Sequence, residues 1–91
     1  MSDSVEQIAT LLEETRHAHH QAYLATDGSD PDWPLWYAGY LVEKLPPLLQ
    51  ADLTKSELTY WMVNLSKRQE HEAPNDDWTH YYAQVLVEEC Q

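Results

Sequence analysis

Apolar residues recur at three- and four-residue intervals along most of the chain, and no stretch alternates with a period of two. That spacing gathers apolar side chains on one side of an α-helix and does not suit a half-buried strand. Four helical segments follow. The first covers 5–25, where Val5, Ile8, Leu12, Thr15, His19 and Ala22 form one stripe flanked by Leu11 and Tyr23. Ser4 and Gln7 have the spacing of a capping box, and Gly28 suits the left-handed residue beyond a helix end.

The second segment, 34–45, differs in kind. Pro34 fits a first helical turn, and Tyr37, Ala38, Leu41 and Leu45 line one side. Trp36 and Tyr40 lie roughly 100° away around the helix. A helix apolar on two sides is either central in its fold or in contact with something else. Pro46 and Pro47 read as its stop, since neither can donate to the backbone ladder.

The third segment, 55–70, opens on a capping box of Thr54 and Glu57 with Leu53 and Leu58 at the staple positions. Leu58, Trp61, Met62, Leu65 and Gln69 share its inner face, and Tyr60, Val63 and Lys67 point away. Ala73-Pro74-Asn75 breaks it. Asn75 or Asp76 is the expected cap of the fourth segment, 77–89, whose inner stripe is Trp78, Tyr81, Tyr82, Val85 and Leu86. The expected fold is all-α, a small four-helix bundle-like single domain over 1–91 with its last two helices paired as a hairpin.

Composition narrows the function classes. Ninety-one residues are too few for two self-sufficient cores. Sixteen acidic side chains against five basic ones give a formal charge of −11, which repels phosphate-rich surfaces. Neither a nucleic-acid partner nor a membrane partner is expected. The residues from Met1 to Ser4 lack the basic and apolar regions of a signal peptide, and Cys90 alone can close no internal disulfide. A cytoplasmic location is the corresponding expectation. Four Trp and six Tyr with no Phe mean that every aromatic ring carries a polar handle, as in half-buried seams and contact surfaces.

Candidate chemistry is sparse. Glu13, His17 and His20 share one helix face at metal-ligand spacing, but that face is opposite the apolar stripe and no second element offers a further ligand. They are weak metal candidates, and no cofactor is expected. His19 falls on the core stripe, where hydrogen bonding to a Tyr or to backbone would make it a pH-sensitive joint. Asp27, Asp30 and Asp32 crowd one loop without the EF-hand pattern, so turn and capping chemistry is their plain reading. No phosphate loop, nucleophile elbow or CxxC is present, and the reading leans away from an enzyme while leaving one open as the alternative below.

The strongest signal is Asp30-Pro-Asp-Trp-Pro-Leu-Trp-Tyr-Ala-Gly-Tyr40, with four rings in eleven residues. Trp33, Trp36, Tyr37 and Tyr40 are therefore the expected partner-binding residues, against the alternative that they simply pack a corner. The reading is a small non-catalytic interaction module that forms a homodimer through this aromatic surface. The alternative is a metal- or small-ligand-binding domain, or an enzyme, using the Glu13, His17 and His20 face or the Trp33–Tyr40 corner. A third reading is an acidic mimic of nucleic acid.

Overall fold

The computed structural model describes residues 3–90. Five α-helices follow one another: α1 (Asp3–Ala22), α2 (Trp33–Leu41), α3 (Leu45–Leu49), α4 (Lys55–Glu72) and α5 (Trp78–Cys90). A 3-10 turn, Leu24–Thr26, trails α1. The fold is all-α, with no strand among the described residues.

The predicted stripe of α1 is its buried face. Ile8, Leu12, Thr15 and His19 are buried, although Ala22 at the far end is exposed. The Thr15 hydroxyl is satisfied within the helix by donating to the Leu11 carbonyl at 2.7 Å. Ser4 lies inside α1 and does not cap it. Beyond the helix, Asp27 (φ 55°) and Gly28 (φ 83°) both turn left-handed. A Cβ on Gly28 would also sit 2.7 Å from Nδ1 of His20, so the backbone there is held to glycine twice over.

The expected second helix is two helices. Pro46 and Pro47 cannot supply the N–H groups that would bond to Val42 and Glu43, so helix α2 ends at Leu41. The same prolines then sit in the first turn of α3, where no intrahelical N–H is needed. They start a helix as much as they end one. α3 closes on Gln50 in the left-handed region at φ 54°.

α4 begins as its sequence demands. The Thr54 side chain accepts from Glu57 N–H at 3.1 Å, and Thr54 N–H donates to the Glu57 carboxylate at 2.8 Å. The cap of α5 is Asp77, one residue past the expected pair: its Oδ1 accepts from both N–H and Oγ1 of Thr79, at 3.0 and 2.7 Å. Those bonds, with His80, hold the Asp77 carboxyl below the usual carboxylate range.

All five helices contribute to one core, built around Ile8 and Leu12, Leu41, Leu45 and Leu49, Leu58, Met62 and Leu65, and Leu86. The main packing partners are α1 with α5 and α2 with α4, while α4 and α5 meet less extensively. The expected hairpin of the last two helices is thus not the principal pair. Long-range apolar burial, which a reading of adjacent segments does not contain, selects the partners.

Candidate functional site

The end of α1, the loop 27–32 and the outer side of α2 meet at an aromatic corner. His19 is its hinge. Its buried ring sits 4.8 Å from the Tyr23 ring, 5.1 Å from Trp36 edge-on and 5.4 Å from Tyr37, measured between centroids. Its Nε2–H donates to Oδ2 of Asp30 at 3.0 Å, and both side chains are under 10% exposed. The sequence placed His19 correctly on the core side but not its partner, which is a carboxylate and neither a tyrosine nor backbone. The other Asp30 oxygen accepts from Asp32 N–H at 3.0 Å, the expected Asx turn. The bond from His19 is the main reason that the Asp30 carboxyl is held below its ordinary range.

Above this latch the rings divide into two sets. Tyr37 is buried: Trp33 lies edge-on to it at 5.2 Å and Trp78 tilts over it at 6.3 Å. It supports the corner from beneath and offers no surface to a partner. Trp33 is half-buried beside it. Trp36 and Tyr40, one turn apart, stack at 5.6 Å with only 14° between their planes. The Lys44 ammonium sits 5.2 Å from the Tyr40 ring centre, a cation–π contact. The Tyr40 hydroxyl donates to Glu14 at 2.6 Å, which ties α2 to α1 and pushes the phenol pKa up.

The outer side of α2 remains uncovered. Leu35 is 51% exposed and Gly39 is also exposed. These two, with Tyr23, Trp36, Tyr40 and the Lys55 side chain from α4, whose Cε and Nζ lie over Gly39, line an open cleft of about 470 Å³ that also includes Asp30 and Asp32. A second groove of about 460 Å³ lies between the end of α4 and α5. Its lining is mainly acidic, Glu72, Asp76, Asp77 and Glu88 beside Arg68 and His80, and Arg68 donates to Glu89 at 3.0 Å and the Tyr81 hydroxyl to Glu72 at 2.7 Å.

The metal candidates do not converge. Glu13 pairs with Arg16 at 2.9 Å, His17 is exposed, and the His20 ring folds against the Gly28 turn. Among the described residues no group of three or more His, Cys, Asp or Glu side chains is placed to hold a metal ion. Leu35, Lys55 and Lys44 are the members of the corner that sequence reasoning missed. The last had a legible signal, its four-residue spacing from Tyr40.

No protein-family model matches the chain, and no curated protein or solved structure is similar to it.

Proposed function

We propose that the protein is a small non-catalytic interaction module whose contact surface is the outer face of α2. The observation that carries this reading is the pair of half-exposed rings Trp36 and Tyr40 beside the exposed Leu35 and Gly39, packed on a buried base. Large aromatic side chains on a rigid support are the residue types that anchor protein contacts, because little entropy is lost when they are covered. Here the support is the His19–Asp30 latch and the buried Tyr37. No helix among the described residues is long and apolar enough to cross a membrane. A single cysteine suits a reducing compartment such as the cytoplasm.

A photo-crosslinking amino acid placed at Leu35 and, as a control, at Lys67 tests the assignment in the native cell. Irradiation should give an adduct of discrete mass from position 35 and none from position 67. The same adducts from both positions, or none from position 35, would reject the α2 face as the contact surface.

A further inference from the structure

One row of side chains along α2 and just beyond its ends carries opposite charges, Asp32 before the helix and Lys44 in the turn that follows it. Asp32, Trp36, Tyr40 and Lys44 follow at four-residue intervals, with the stacked rings in the middle and Lys44 drawn over Tyr40. Asp32 is the residue before α2 and uses no side-chain capping bond. Among the described residues neither its carboxylate nor the Lys44 ammonium has an ion-pair partner, and both are exposed.

We infer that this row is docked by a second copy of the chain, α2 against α2 and antiparallel about a twofold axis. The inference rests on the proposed contact surface and names its partner. A twofold axis through the midpoint of the row sets Trp36 of one copy beside Tyr40 of the other, and the reverse. It also sets Asp32 opposite Lys44 twice, so each unpaired charge gains its counterion. A parallel arrangement would put aspartate against aspartate and lysine against lysine. Rows of this spacing are inclined to the helix axis, so laying two alongside one another makes the helices cross at roughly 50°.

Gly39 lies beside the row and is exposed, and a Cβ built there would meet only the end of the Lys55 side chain at 3.5 Å. A second helix reaches that point once the exposed Lys55 side chain, whose Cε and Nζ lie over Gly39, swings aside. The neighbouring carboxylates do not block it. Glu14 is engaged by the Tyr40 hydroxyl, and Glu43 lies off the row. A partner of uniform charge would satisfy one end of the row and be repelled at the other, which favours a copy of the chain itself.

Sedimentation equilibrium of the purified protein, over concentrations from micromolar to millimolar, measures this directly. The wild type should be in monomer–dimer equilibrium. Asp32→Lys and Lys44→Asp should each weaken the dimer about tenfold or more, since each sets like charges opposite one another twice. The double variant Asp32→Lys/Lys44→Asp should return it to within about threefold of the wild type, a recovery that damage to the monomer fold cannot produce. Circular dichroism of each variant confirms folding. A wild-type monomer at every concentration, a dimer indifferent to either single reversal, or no recovery in the double variant would each overturn the inference. If the purified chain is monomeric while position 35 still captures a different protein in the cell, the second copy falls and the contact surface stands.

Discussion

His80, near the start of α5, bonds to Glu6, in the second turn of α1, at 3.0 Å across 74 residues of sequence. Its other ring nitrogen lies 3.2 Å from the Asp77 carboxylate. One imidazole therefore joins the first and last helices, and its two carboxylates, Asp77 foremost, raise its pKa above the ordinary histidine value.

Because the folded pKa of His80 is raised, its contribution to stability is complete below about pH 6.5 and fades as pH rises through the raised value. Asp77 behaves oppositely: its pKa is lowered, so its contribution is present above about pH 4 and is lost in stronger acid. The clamp is thus strongest between about pH 4 and 6.5. Thermal melts at pH 5.5 and 8.5 should show wild type losing more Tm on alkalinisation than His80→Gln. Equal losses in the two proteins would show that the clamp adds nothing.

Breaking the His19–Asp30 latch should loosen the loop without dissolving the core. His19→Leu removes the donor that fixes Asp30, while Leu12 and Leu41 keep their packing. Amide hydrogen exchange in 27–32 should speed up far more than exchange in α4, and Tm should fall further than in His80→Gln. Uniform acceleration along the chain would mean that the latch is part of the global fold and not a local support.

Gln50 carries a left-handed backbone at φ 54° that a side chain disfavours. Gln50→Gly should raise the unfolding free energy by about 0.5–1 kcal/mol, less whatever the freer unfolded chain gives back. Urea denaturation at constant m-value measures it, and a loss of stability would show that the Gln50 side chain makes up for its backbone.

Tyr82 is 4% exposed, and burial pushes its phenol pKa up to about 12, against a smaller opposing effect of its bond with Ser66. Tyr23 and Tyr37 are raised by burial, and Tyr40 and Tyr81 chiefly by their bonds to carboxylates. A raised phenol pKa supports the fold below about pH 10 and withdraws that support as pH climbs toward the folded value. Absorbance at alkaline pH should therefore show delayed tyrosine ionisation, ending in a steep step that coincides with loss of helicity. A gradual titration centred near pH 10 would contradict this.

Local rules made much of the fold legible. The α4 capping box, the buried sides of α1 and α4 and the positive φ of Gly28 each depend on residues within a few positions of one another. Pro46 and Pro47 misled because a proline's steric effect falls four residues upstream, so the break precedes them. Asp30 stayed hidden for another reason. Its partner His19 is eleven residues away around a turn, and no period links a helix to a loop folding back on it. At the site, the division between Trp36 and Tyr40 outside and Tyr37 inside follows from helical geometry. That Trp78 would arrive from α5 to close over Tyr37 does not.

The absence of phenylalanine changes how an anionic chain holds itself together. Tyr40 and Tyr81 each neutralise the hydrogen-bonding demand of a carboxylate, Glu14 and Glu72, without bringing a cation. These cross-links carry charge on one side only, so dissolved salt weakens them less than it weakens an ion pair. The same salt screens the mutual repulsion of sixteen carboxylates. At these two cross-links the chain gains from rising ionic strength on one count and loses little on the other.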